Sequence, residues 1–432
     1  MSSAGEPKKR RVISGMRPTG RLHIGNYFGA LANWVRLQDD PSNECFYFIA
    51  DWHSLTSDYA DTSAIAENTI QVATDFIAAG LDPRKSTIFL QSSVPEHAEL
   101  HLLLSMITPL GWLERVPTYK EQLENIKGKD LHMYGFLGYP VLQAADIVMY
   151  GEVGRPLIVP VGEDQVAHVE LNREIVRRFN SNYGLEIQEN IYEDRNACAQ
   201  LSVRSISLRF LNQIGFKTPE AETALRSYIA EVGIDNFLRE WEGEGFPHYF
   251  NRNEVIAEPE AMLTEAKRVP GTDGRKMSKS YGNAIELGES DESICAKTKV
   301  MMTDPARKRR TDKGNPDVCP VYDWHKLFSP PETLSWANTG CRTAGIGCIE
   351  CKAAMADNLI KWIGPVRARR QELEAHPDQV LNIIDEGSTR ARKTAQATME
   401  RVREAVFGWK AKRESVAIQK APAALKNSGA GN

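Results

Sequence analysis

No apolar run in this chain approaches the roughly 20 residues that a helix needs to cross a bilayer, so a helical integral membrane protein is excluded. Charge of one sign is lacking too. Against 57 Asp and Glu stand 53 Lys and Arg, a net charge of −4, so contact with nucleic acid has to come from a local patch rather than bulk attraction. The opening segment, MSSAGEPKKRRV, is basic but has no apolar core behind it; this sets a secretory signal aside and points to the cytoplasm. No internal repeat is present, so a stacked-repeat architecture is not expected. Cysteine is sparse, with seven in 432 residues. A reducing compartment disfavours disulfides, so thiols that do bunch together read first as a metal site.

What is present is ordinary for a globular chain: 42% hydrophobic and 25% charged residues, in a length that holds two to three domains. The first half alternates strand-like runs (RVISG at 11–15, CFYFIAD at 45–51, STIFLQS at 86–92) with helical patterns at 25–38, 62–80 and 95–107. Such alternation predicts a doubly wound parallel sheet with ligands at the carboxyl ends of its strands. From 184 to 255 the strand signals fade, and Thr218, Pro219 and Gly233 mark a helix start and stop, so this stretch reads as a helical insertion. Beyond Gly282 the pattern is helical, amphipathic over 371–407. Residues 411–432 lack periodicity and are expected to be disordered, and Lys8, Lys9, Arg10 and Arg11 read as a solvated tail.

Two short stretches carry phosphate chemistry. In SGMRPTGRLHIGNYFGAL (14–31) a strand ends, a Pro/Gly turn follows, and HIGN opens a helix. Gly25 lets a ligand approach the backbone, the helix N-terminus offers N–H groups, and His23 adds a donor. In GTDGRKMSKSYGN (271–283), Lys276 and Lys279 flank a Ser/Gly loop able to close over a polyphosphate. Each alone reads equally well as a surface turn; together, in this order, they point to a nucleotide site.

The pairing of HIGN with KMSKS resembles the class I aminoacyl-tRNA synthetases. With GMRPTG, ADWHSLT (50–56), VPTYKE (116–121), YPVLQAADIVMY (139–150) and VPVGEDQVAHVELNREI (159–175), the chain is similar to the bacterial tryptophanyl branch over most of 11–183 and 256–408. Asn26 stands where many class I enzymes have a second histidine. The resemblance implies an α/β fold: a Rossmann-like doubly wound catalytic domain (11–183 and, with KMSKS, 256–285), the helical insertion at 184–255, an all-α anticodon-binding domain at 286–410, and the tail. It also implies a cytoplasmic homodimer that joins L-tryptophan to tRNA(Trp) using ATP and Mg²⁺. A tyrosyl enzyme and a non-catalytic RNA-binding paralogue are the alternatives.

Site residues follow from the same matches. Arg17, His23, Gly25 and Asn26 would hold ATP from one side. Lys276, Met277, Ser278, Lys279 and Ser280, with Lys120, would hold the leaving phosphates, and Asp164 with Gln165 would lie near the ribose. An indole N–H only donates and needs a buried acceptor, the role that the resemblance gives Asp146. Gln143, one helical turn earlier, shares its face. Tyr139 and Gln165 match positions at the α-amino end, and His53 stands beside the pocket.

The remaining cysteines spell Cys319-x21-Cys341-x6-Cys348-x2-Cys351. Four thiolates suit zinc or an iron–sulfur cluster by count, but the single close pair and the x6 gap are unusual for zinc. The text GCRTAGIGCIECK resembles a subset of the bacterial tryptophanyl enzymes with a [4Fe–4S] cluster in the anticodon-binding domain. The cluster therefore ranks first, Zn²⁺ second and unligated thiols third. Beside them, Arg307, Lys308, Arg309 and Arg310 form a basic run expected to meet RNA phosphates.

Overall fold

The computed structural model describes residues 8–117, 119, 120, 131–204, 208, 219–243, 245, 247–264 and 269–420. Thr218, the expected helix cap, and residues 421–432 of the tail lie outside the described residues.

Five parallel strands form the central sheet: β1 (Arg10–Met16), β2 (Asn43–Ile49), β3 (Ser86–Leu90), β4 (Leu157–Val161) and, after a two-stranded antiparallel pair β5 (Leu185–Ile187) and β6 (Phe250–Arg252), β7 (Pro259–Leu263). Their order is β3-β2-β1-β4-β7, every neighbouring pair parallel. The apolar runs are dense because both faces are covered. Val12, Cys45, Tyr47, Ile49 and Ile88 face one core, while Ile13, Phe46, Phe48, Phe89, Leu157 and Val159 face the other. Strand order reverses between β1 and β4, so a crevice opens at their carboxyl ends.

The first core does not stop at the sheet. It continues through Val321, Trp324, Phe328, Met355, Leu359 and Ile363 to Ile384, so the C-terminal helices share apolar packing with the half that carries the parallel sheet. A third core, between Leu185 and Phe250, is separate and centres on Phe237 and Trp241.

Three expectations are corrected. Arg10 and Arg11 are not a solvated tail but the first residues of β1, paired in register with Asn43 and Glu44. Arg11 is largely buried, beside Glu44 and Glu152 and over the Phe46 ring. The start of the supposed tail is helix Trp409–Lys420, which follows helix Pro377–Phe407 across a left-handed Gly408. The fading strand signal hid β5 and β6, which at three residues each are too short to show a period.

Edge strand β3 is covered by helix Pro377–Phe407, which protects it from stray pairing. The Leu90 N–H donates to Ser388 Oγ at 3.2 Å. The approach is possible only because residue 387 is glycine: a Cβ there would stand 1.7 Å from the Ile88 carbonyl oxygen. Gly387→Ala is therefore expected to lower stability by about 1–3 kcal/mol, by forcing the helix off the strand. Equilibrium denaturation checks this, and a wild-type midpoint would contradict the packing described.

Candidate active site

At the β1/β4 crevice lies a cavity of about 400 Å³, within the usual range for small-molecule sites. Its wall includes Arg17 after β1, His53 and Thr56 after β2, Gly162 and Gln165 after β4, and Tyr139, Gln143 and Asp146 from helix Tyr139–Val148. The expected pocket residues are thus brought together. Tyr139 Oη stands 3.0 Å from His168 Nε2, and Arg17 Nη2 donates to Ser57 Oγ at 2.7 Å and Asp58 at 3.2 Å.

Asp146 has no solvent exposure. Gln91 Nε2 donates to both its oxygens, at 2.8 and 2.7 Å, and His53 Nε2 stands 2.8 Å from Oδ2. His97 Nδ1 stands 2.5 Å from Oδ1, and its Nε2 is 2.7 Å from Tyr150 Oη. A carboxylate only accepts, so His97 donates through Nδ1–H and takes the Tyr150 hydroxyl proton at Nε2. The Trp52 N–H donates to Gln91 Oε1 at 3.1 Å, which turns the amide nitrogen towards Asp146. Burial by itself pushes the Asp146 carboxyl up, but the hydrogen bonds and charge of His53 and His97 outweigh it and hold it down at about 2. The sequence reading missed Gln91, His97 and Tyr150. Gln91 follows the carboxyl end of β3, where the strand-end rule would have found it; the other two carry no local signal.

His23 caps helix Ile24–Asn26: its Nδ1 accepts the Asn26 N–H at 3.2 Å, while its own N–H donates to Asn26 Oδ1 at 3.0 Å. A Cβ at Gly25 would come within 2.9 Å of that ring, so glycine serves the cap as well as ligand access. Burial, and then Lys279, lower His23 to about 4. The imidazole is neutral at physiological pH, and with Nδ1 accepting it presents an Nε2–H donor. The helix continues through a π-turn, Tyr27–Leu31, a geometry frequent at functional sites.

The second motif meets the first through backbone. The Ile24 N–H donates to Ile285 O at 3.0 Å, and the Leu287 N–H to Leu22 O at 2.9 Å. Lys279 Nζ donates to Thr19 O and, at 2.9 Å, to Arg21 O. Met277 is buried, the Ser278 and Ser280 hydroxyls are 2.8 Å apart, and Lys276 is exposed. Asn283 organises the loop. It accepts the Ser278 N–H at 2.7 Å and donates to Asp273 and to Lys276 O. Asp164 is exposed and takes a hydrogen bond from Gln165 at 3.2 Å. Lys120 is exposed and is not part of the cavity wall.

Cys319, Cys341, Cys348 and Cys351 come together from three helices: the start of Pro320–Phe328, the end of Pro331–Thr343 and the first turn of Cys348–Glu374. Burial and then the other three thiols push Cys351 up to about 12. A Cβ at Gly314 would lie 2.6 Å from Cys341 Sγ. Among the described residues, no three His, Cys, Asp or Glu side chains are close enough to hold a single metal ion. Arg307 requires a correction. It is buried, with Nη2 donating to Ile346 O at 2.6 Å and to Arg310 O and Nη1 3.8 Å from Cys341 Sγ, so it does not face a phosphate. Lys308, Arg309 and Arg310 are exposed.

The cap geometry makes a direct prediction. The His23 ring is expected to titrate near pH 4, staying a neutral Nε2–H tautomer from pH 8 down to 5 in ¹⁵N-resolved NMR; a midpoint near the free-histidine value would mean the cap does not hold in solution. The folded value lies below the unfolded one, so this group's share of stability is present above pH 6.5 and is lost as pH falls towards 4.

The comparisons agree with the geometry. The family described as tRNA synthetases class I (W and Y) matches residues 6–200 and 228–363. The tryptophan--tRNA ligase of Ralstonia nicotianae is 48% identical over 400 residues, covering 92% of this chain and 98% of that one. That of Thermotoga maritima is 44% identical over 397 residues, with the same coverage. Among solved structures, the Campylobacter jejuni tryptophanyl-tRNA synthetase complexed with ADP and tryptophan superposes with a TM-score of 0.68 at 29% identity, covering 92% of this chain and 99% of that one. No described helix is long and apolar enough to cross a membrane. The chain belongs to the class I aminoacyl-tRNA synthetases and, within them, to the tryptophan--tRNA ligases.

Proposed function

We propose that the 400 Å³ cavity takes the tryptophan side chain, with the indole N–H donating to Asp146 and the ammonium group held by Tyr139, Gln143 and Gln165. The observation that carries this reading is a fully buried carboxylate kept ionised at the wall of a pocket that is lined by both apolar and polar side chains. A side chain with a donor gains a hydrogen bond to this fixed acceptor that one without a donor cannot make.

ATP then lies across Arg17 and the turn at His23, Gly25 and Asn26, with Asp164 near the ribose. Lys276 and Lys279 draw over the phosphates, and Ser278 and Ser280 add hydroxyl donors. The tryptophan carboxylate oxygen attacks the α-phosphorus; the bond to the bridging oxygen of the β-phosphate breaks, and pyrophosphate leaves with Mg²⁺. No side-chain nucleophile takes part. The neutral His23 Nε2–H and the lysines answer charge as it builds, which is catalysis by positioning and electrostatics. In the second step a ribose hydroxyl of the tRNA's terminal adenosine attacks the acyl carbon, and AMP leaves. Lys120 remains a candidate for the leaving phosphates only if its segment swings towards them.

The same reading gives the four cysteines a [4Fe–4S] cluster; what supports it is their spacing in the sequence and their placement at the meeting ends of three helices. A buried thiol at about 12 stays protonated unless a metal draws the proton away. The cluster would act as a structural staple, with Lys308, Arg309 and Arg310 beside it for tRNA phosphates. A homodimer completes the reading; Leu102, Met106 and Leu110 are exposed apolar residues at one side of the catalytic half.

Two measurements test this. Asp146→Ala should raise KM for tryptophan about 10–100-fold in ATP–pyrophosphate exchange, with KM for ATP little changed. An equal rise in both would place Asp146 outside the amino-acid pocket. Protein purified without oxygen should contain about four irons and four acid-labile sulfides per chain. About one zinc and no sulfide would replace the cluster with a zinc knot.

A further inference from the structure

We propose that Arg370, on the helix that begins at the cysteines, is a positioning residue for the ATP-binding turn, acting through Asp75 on the backbone N–H of Leu22. The proposal rests on the reading of His23–Asn26 as the ATP-binding turn.

Arg370 and Asp75 are 1% and 0% exposed, with Arg370 Nε 3.2 Å from Asp75 Oδ1. The other oxygen of Asp75 accepts the Leu22 N–H at 2.6 Å, the residue before His23. Leu22 is thus held by both backbone groups: its N–H by Asp75 and its carbonyl by Leu287, in the segment that follows KMSKS. Arg370 touches this second support too, since a Cβ at Gly288 would lie 2.9 Å from its Nε. Its Nη2 reaches Gln71 and, at 3.3 Å, Glu374, and both of those also bind Arg21, at 3.3 and 3.1 Å. Residues 19–22 are therefore clamped between Lys279 on one side and the Asp75–Arg370 pair on the other.

A buried ion pair is a poor choice for stability alone, because apolar residues of similar volume often do as well. Here the carboxylate does something more, since an apolar side chain at 75 cannot accept the Leu22 N–H. Helix Cys348–Glu374 gives the contact reach. At 1.5 Å per residue its 27 residues span about 40 Å, with Cys348 and Cys351 in its first turn and Arg370 and Glu374 near its end. Midway, Trp362 stacks on Phe28 at 5.3 Å and meets Tyr27 edge-on at 4.9 Å, in the π-turn just after Asn26. One continuous helix, with Pro365 in its interior, links the cysteine site to the turn that binds nucleotide.

The test is tryptophan-dependent ATP–pyrophosphate exchange on the full chain. The paired substitution Asp75→Leu with Arg370→Leu should fold, with a near-wild-type melting temperature. It should raise KM for ATP about tenfold while leaving KM for tryptophan within about twofold, the cost of an N–H losing its acceptor. Arg370→Lys, which keeps the charge on Asp75, should recover most of that affinity. Unchanged KM for ATP, an equal rise in both constants, or a paired variant that does not fold would each overturn the proposal and leave the ion pair a structural one. His23→Ala separates the two readings. If it leaves KM for ATP unchanged, the turn itself is misassigned. If it raises KM while the Asp75/Arg370 pair does not, only the positioning role fails.

Discussion

A short antiparallel bridge, Ile24 N–H to Ile285 O and Leu287 N–H to Leu22 O, joins two segments more than 260 residues apart in the chain. The proposed nucleotide site depends on it. HIGN supplies a neutral donor and open backbone, and KMSKS supplies cations, but neither alone surrounds a triphosphate. Two backbone hydrogen bonds are a modest attachment, each worth about 1 kcal/mol net. The fold reinforces the bridge on several sides: Leu22, Ile24, Ile285 and Leu287 are all buried in the first core, Asp75 accepts the Leu22 N–H, Lys279 binds the carbonyls of Thr19 and Arg21, and Asn283 braces the KMSKS loop.

The amino-acid pocket works in the opposite way, by over-determination. A buried charge is costly, and Asp146 is stabilised by three donors before any substrate arrives. Two of them are histidines, of which His97 is also held through its other ring nitrogen by Tyr150, and the third is an amide oriented by the Trp52 N–H. The carboxylate cannot rotate away or take up a proton near neutral pH. Rigidity here gives selectivity: an entering ring must offer a donor in a fixed direction, since the acceptor does not move to meet it.

Much of this was legible in the sequence because it is encoded locally. The strand–helix alternation gave the parallel sheet; the spacing of Gln143 and Asp146 put both on one helix face, and the structure has them, with Tyr139, in the wall of one cavity. Less was legible where function depends on pairing at a distance. Gln91 had only its place at the end of β3 to mark it, and nothing near His97 indicates that it serves Asp146, 49 residues away in sequence, or that Tyr150 in turn holds His97. Arg307 was misread for the same reason. A basic run looks uniform as text, yet one of its four members turns inward to the carbonyl of Ile346 and the sulfur of Cys341. The basic start of the chain misled likewise, because Val12 and Ile13 draw Arg10 and Arg11 into the ladder with β2.

The continuity of the first core bears on how the two halves of the molecule cooperate. If the C-terminal helices were a separate body on a linker, RNA contact at their far end could affect adenylate chemistry only through the linker. Instead Trp324 and Phe328 belong to the same apolar cluster as Val12 and Ile88, and Trp324 donates from its indole to the Pro270 carbonyl at the base of the KMSKS loop, at 2.9 Å. Interiors packed at crystal-like density transmit displacement rather than absorb it. A shift of the helices around the cysteines therefore has a physical route into the loop that carries Lys276 and Lys279. The two ends of the enzyme are connected by side chains in contact, from the first core to the indole of Trp324 at the base of the KMSKS loop.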